Sequence, residues 1–227
     1  MSPTLDEARI RAVCFDLDGT LVETDDALVA RLASLLRPWP FWLRGRDESI
    51  AARNLIMAAE TPVNGLLAVI DRLGLDDLLV PVLDALHQAR GLEPAETFMP
   101  IQGALETVDS LAQRFPLALV TAREARSTEV FLDTFQLRDV FGCIVTARTT
   151  RLGKPHPAPV LWAAGRLGLP PQACLMVGDT TADIRAGRAA GAQTVGVLCG
   201  FGQRRELERA GADLILDSVA GLQEILM

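Results

Sequence analysis

The chain has 227 residues, 49% of them hydrophobic, and a formal net charge of −7. This composition supports a sizeable core and excludes a disordered chain. The acidic balance, with no lysine- or arginine-rich run, argues against a nucleic-acid partner, and no apolar run approaches the ~20 residues of a membrane span.

The first residues, Met1-Ser2-Pro3-Thr4-Leu5-Asp6-Glu7, are acidic and lack the apolar stretch of a signal peptide, so a cytoplasmic protein is expected. Residues 13–15 read as a short buried strand. It ends abruptly in Asp16-Leu17-Asp18-Gly19-Thr20, where Gly19 marks a turn. Strand patterns then stop. Leu28, Leu32, Leu35 and Leu36 share one helical face, and further helices are expected over 47–59, 63–73 and 76–90. A loop with two prolines, 37–46, separates the first two and carries Trp39, Phe41, Trp42, Arg44 and Arg46. This run reads as a helical insert over residues 22–96.

From Pro100 onward helices and strands alternate. Strands are expected over 117–120, 143–145, 173–177, 194–198 and 214–216, with helices from Ile101 to Ala112 and over 124–135, 157–167, 182–190 and 206–210. Such alternation implies right-handed crossovers and a parallel sheet. The fold class is therefore α/β, with residues 1–21 and 97–227 forming the core around the insert.

In an open α/β sheet, chemistry gathers outside the carboxyl ends of the strands. Those ends carry Asp16 and Asp18, then Thr121, then Lys154 in Gly153-Lys154-Pro155, then Asp179 and Asp183 in Gly178-Asp179-Thr180-Thr181-Ala182-Asp183. Carboxylates brought this close repel, and a bound cation relieves that without neutralising a nucleophile. An all-oxygen donor set with room for water and phosphate suits Mg²⁺. Lys154 and Thr121 can face a bound anion. A positioned carboxylate can attack phosphorus and split one hard step into two. The four cysteines, 14, 143, 174 and 199, form no Cys-x-x-Cys pair and read as reduced structural thiols. His87 and His156 lack ligand spacing, which argues against zinc.

These motifs, in this order and spacing, resemble the phosphatases of the haloacid dehalogenase-like superfamily. Asp16-Leu17-Asp18-Gly19-Thr20 is similar to the family's first motif, Thr121 to its second, Lys154 to its third, and Asp179 with Asp183 to its fourth. The resemblance implies a Rossmann-like, doubly wound core with an α-helical cap. It implies Asp16 as nucleophile and Mg²⁺ ligand, and Asp18 as acid and base, its backbone carbonyl on the metal. Thr121 and Lys154 would hold phosphoryl oxygens, Asp179 would bind the metal, and Asp183 would orient its neighbours in the metal site.

The tail Gly196-Val197-Leu198-Cys199-Gly200-Phe201-Gly202 is similar to the phosphoglycolate phosphatase branch. Ala122-Arg123 departs from the Asn-Lys usual there, which leaves the exact substrate open. Ala122 and Arg123 are candidates to face the substrate. Arg46 stands in the cap loop, where related mutases carry a substrate-contacting arginine; a solvated pair with Arg44 is the alternative. The expected reaction is hydrolysis of a small phosphate ester, phosphoglycolate-like or a sugar phosphate, by a monomer or homodimer. The alternatives are a β-phosphoglucomutase-like isomerase and, in another class, a phospho-accepting receiver-like module or an inactive interaction protein.

Overall fold

The computed structural model describes residues 5–23 and 98–227. The chain divides into two compact units, Met1–Thr24 with Thr97–Met227, and Asp25–Glu96. The expected helices of the insert, with Arg44, Arg46 and the aromatic residues of their loop, lie outside the described residues.

Short apolar runs, too brief for stable helices, form the strands. They are β1 (Ala12–Phe15), β2 (Leu117–Val120), β3 (Phe141–Val145), β4 (Cys174–Gly178), β5 (Gln193–Val197) and β6 (Leu214–Leu216). All pair in parallel, in the order β3-β2-β1-β4-β5-β6. The described helices are α1 (Ala104–Ala112), α2 (Ala125–Thr134), α3 (Ala158–Arg166), α4 (Thr181–Ala190), α5 (Arg204–Ala210) and α6 (Leu222–Leu226). The chain builds outward from β1 to β3, then returns to place β4 on the other side of β1. The ends of β1 and β4 therefore flank the point where strand order reverses, where α/β sheets open a crevice.

Successive side chains of a strand point to opposite faces. Val13 and Phe15, Leu117 and Leu119, and Leu175 and Val177 share one face with Val108 and Leu111 of α1, Phe131 of α2 and Leu222 of α6. The other face carries Ala12 and Cys14, Ala118 and Val120, and Cys174 and Met176, packed with Val160, Ala163 and Ala164 of α3 and Ala186 and Ala190 of α4. With both faces covered, the strands read as continuous apolar runs rather than alternating ones. Each fully buried leucine or phenylalanine contributes about 1.5–3 kcal/mol relative to exposure, so this sheet is the rigid frame on which the loops are set.

The doubly wound parallel sheet agrees with the sequence reading, and most ends shift by one or two residues. α1 begins at Ala104, because Ile101 is a buried anchor ahead of the helix whose carbonyl receives the Ala104 N–H. α5 begins two residues before its expected start, where Gln203 and Glu206 form a capping box. α6 was not expected, since five residues carry no readable period. Leu21 and Val22 are fully buried in the core, and Glu23 N–H donates to the Met99 carbonyl at 2.8 Å, so the first core segment extends past residue 21. All four cysteines are free thiols.

Candidate active site

The Asp16 N–H donates to the Val177 carbonyl at 2.9 Å, carrying the pairing of β1 with β4 one residue past the strand. Leu17 is fully buried, and its carbonyl receives the N–H groups of Leu21 and Val22 at 2.9 and 3.1 Å. Gly19 closes the turn at φ +73°, a conformation costly for residues with a Cβ. Leu17 thus nails the loop to the core, and the two carboxylates flanking it are fixed at the sheet edge. Asp16 is buried and Asp18 half-buried.

Lys154 reaches across from the loop after β3. Its Nζ donates to Asp16 Oδ1 at 2.7 Å, Asp183 Oδ1 at 2.6 Å and the Val120 carbonyl at 3.0 Å. Asp183 is also held from behind. Its Oδ2 receives the Thr180 N–H at 3.0 Å and the Thr180 hydroxyl at 2.7 Å, forming the capping box that opens α4. One aspartate thereby starts a helix and orients the lysine.

Asp179 is fully buried. Its Oδ2 receives the Phe201 N–H at 2.7 Å. Gly19, Gly200 and Gly202 surround it so closely that a Cβ at any of the three would collide with Asp179 itself. Its Oδ1 has no partner, and among the described residues only the Thr20 hydroxyl shares that condition.

Carboxylate oxygens of Asp16, Asp179 and Asp183 lie within 4.8 Å of one another. Burial, and then the charge of Asp183, push the Asp16 carboxyl up to about 8 against the pull of Lys154. Burial, then Asp183 and Asp16, raise Asp179 well above the carboxylate range. Burial opposes the charge on Lys154, but Asp16 and Asp183 outweigh it and hold the ammonium above its ordinary range. Three buried carboxylates face one ammonium, so a divalent cation would bring the group to neutrality. The orphaned Asp179 Oδ1 and the hard oxygen donors fit such an ion.

The Thr121 hydroxyl oxygen receives the Arg123 N–H at 3.0 Å, which leaves its own proton to donate. Ala122 is exposed. The Arg123 guanidinium pairs with Asp18, its Nε 2.9 Å from Oδ1 and 2.7 Å from Oδ2, and its Nη2 2.5 Å from Oδ1. His156 Nδ1 accepts the Ala158 N–H at 3.1 Å at the start of α3.

The profile of the haloacid dehalogenase-like hydrolases matches residues 13–197. The chain belongs to that family. It is an enzyme, a hydrolase whose curated relatives include phosphatases. It is 30% identical to a phosphoglycolate phosphatase of Pseudomonas putida, over 93% of this chain and 78% of the relative. It is 27% identical to the pyrophosphatase PpaX of Anoxybacillus flavithermus, over 96% of this chain and 97% of that one. Among solved structures, a family hydrolase from Deinococcus radiodurans with bound phosphate and sodium aligns at a TM-score of 0.66 and 28% identity, over 96% of each chain.

Within this dehalogenase-like core, six residues singled out from sequence meet at one edge: Asp16, Asp18, Thr121, Lys154, Asp179 and Asp183. The cluster also contains groups that sequence reasoning missed. Thr180 and the Val120 carbonyl hold the lysine network. Gly200 to Gly202 clamp Asp179; the spacing Gly-Phe-Gly was visible, but its partner is 22 residues away. Ser127 Oγ, 3.0 Å from Arg123 Nη1, and the Phe98 ring, 5.1 Å beneath the guanidinium, steady Arg123.

Proposed function

We propose that this hydrolase cleaves a small-metabolite phosphate monoester, with Mg²⁺ and through an aspartyl-phosphate on Asp16. The observation that carries the reading is the meeting of Asp16 with Lys154 and with the unpartnered Asp179 Oδ1 at the sheet's carboxyl edge. Asp16, Asp179 and the Asp18 backbone carbonyl would hold the cation, with Asp183 beside them. Bound Mg²⁺ supplies positive charge that offsets the phosphoryl oxygens.

In the first half-reaction an Asp16 oxygen bonds to phosphorus and the ester P–O bond breaks. Its electron pair leaves on the ester oxygen, which takes a proton from the Asp18 carboxyl. In the second, water attacks phosphorus and gives a proton to Asp18. The bond between Asp16 and phosphorus then breaks, releasing phosphate and restoring the carboxylate. Lys154 and the Thr121 hydroxyl face the charge on the transferring group. Asp183 holds Lys154 in place.

The phosphatase names of the curated relatives support a small phosphorylated substrate, phosphoglycolate or a similar ester. The family match leaves no support for a receiver-like module. The mutase alternative uses the same residues and differs in returning the phosphoryl group to a sugar.

The test is turnover of p-nitrophenyl phosphate, followed by a panel of metabolite phosphates scored for released phosphate. EDTA should abolish activity, and Asp16→Asn should lower kcat by about 10⁴-fold or more, the scale on which losing a nucleophile acts. Activity that survives either treatment sinks the mechanism. Sugar-phosphate isomerisation without phosphate release would favour the mutase.

A further inference from the structure

We infer that Arg123 is the positioning residue for Asp18, fixing the plane in which its carboxyl group acts; the inference rests on the phosphatase reading above. Nη2 donates to Asp18 Oδ1 at 2.5 Å, and the single Nε hydrogen is shared between Oδ2 at 2.7 Å and Oδ1 at 2.9 Å. A carboxylate oxygen has about two acceptor sites, so the fork fixes the plane of the group and still leaves room on it for a proton. The guanidinium is thus the anchor that aims the carboxyl group, which gives its proton to the departing ester oxygen and later takes one from water.

The anchor is itself anchored. Nη1 donates to Ser127 Oγ at 3.0 Å from the first turn of α2, and the guanidinium lies over the Phe98 ring at 5.1 Å. The backbone of the same residue reaches the other catalytic group, since its N–H donates to Thr121 Oγ1 at 3.0 Å. Arg123 therefore sets Thr121 and Asp18 relative to each other, although Asp18 is 105 residues away. A planar fork suits this task and an ammonium does not, because only the fork fixes the carboxylate's plane.

The position was expected to contact substrate, so the experiment must separate the two roles. The ratio of kcat/KM for two esters does so, because kcat/KM reports the step that breaks the ester bond. A p-nitrophenolate leaves without a proton, whereas an alkoxide needs one. For Arg123→Ala, kcat/KM on an alkyl phosphate such as phosphoglycolate should fall by about 10²-fold or more, within the range of general-acid catalysis. On p-nitrophenyl phosphate the fall should stay below about 10-fold, because the acid's contribution is not needed there.

Arg123→Lys and Ser127→Ala should shift the ratio in the same direction by less, and circular dichroism checks that each variant is folded. These two milder variants carry the test if Arg123→Ala does not fold. Equal losses on both esters would overturn the inference, marking Arg123 as a substrate contact or a structural residue. A wild-type enzyme inactive on both esters would overturn the phosphatase reading, and this inference with it.

Discussion

Three buried carboxylates crowd together where β1 and β4 end, and that crowding governs how the protein responds to pH. The Asp16 carboxyl, pushed up to about 8, holds a proton in the folded state that the unfolded chain has released above about 4. A raised acid stabilises the fold fully below its unfolded value and loses that contribution as pH rises through its folded value. Without divalent ions, melting temperature should therefore fall between pH 5 and pH 8.5. Millimolar Mg²⁺ should restore it, and by more at pH 8 than at pH 5, because proton and cation compete for the same oxygens. Scanning fluorimetry with EDTA or Mg²⁺ measures both. An equal increment at the two pH values would mean that these carboxylates are not the ligands. Asp179→Asn should raise the metal-free melting temperature, by removing an acid that burial forces to keep its proton, and abolish the increment.

At this scale the sequence was informative about identity and silent about partnership. Asp16, Asp18, Lys154 and Asp179 could be named because strand ends and spacing marked them. That Arg123 would face Asp18, or that Phe201 would donate to Asp179, depends on loops meeting across the sheet. No local pattern encodes such a meeting.

Among the elements, α4 shows how one residue serves two ends. Asp183 is both a helix-start carboxylate and the partner of Lys154, because the capping box and the Lys154 contact use its two different oxygens. Thr180→Ala should cost about 1 kcal/mol of stability, the usual value of an N-cap. That lowers melting temperature by roughly 2–4 °C in a chain of this size. It should also lower kcat, because Asp183 loses the hydroxyl that braces it against Lys154. Thr180→Ser, which keeps the hydroxyl, should restore both quantities in thermal and kinetic assays. A variant that loses stability but keeps full kcat would show that the brace is dispensable. The core elements were legible from apolar runs and their Gly and Pro boundaries. α6 was not, since its five residues are held by burial of Leu222 and Leu226 rather than by any period of their own.

For the whole molecule, the parallel sheet was readable because both of its faces are covered, which turns strands into unbroken apolar runs. The two places where the core chain breaks off are stitched side by side. Val22 bridges Pro100 in antiparallel fashion, Glu23 N–H donates to Met99 O at 2.8 Å, and Ile101 N–H donates to Leu21 O at 3.0 Å. Replacing residues 25–96 by a short Gly/Ser linker should leave a core that unfolds cooperatively and still gains melting temperature from Mg²⁺, as circular dichroism and fluorimetry would show. Loss of cooperative unfolding would mean that the core needs the intervening unit.

That stitch has a bearing on how the protein can change. With its two ends already held together by the core, an intervening segment costs closure entropy that grows only with the logarithm of its length, about 0.6 kcal/mol per doubling. The core is therefore nearly indifferent to how long that segment is. Its composition can drift, lengthen or be exchanged while the acidic cluster and Lys154 stay fixed in the core.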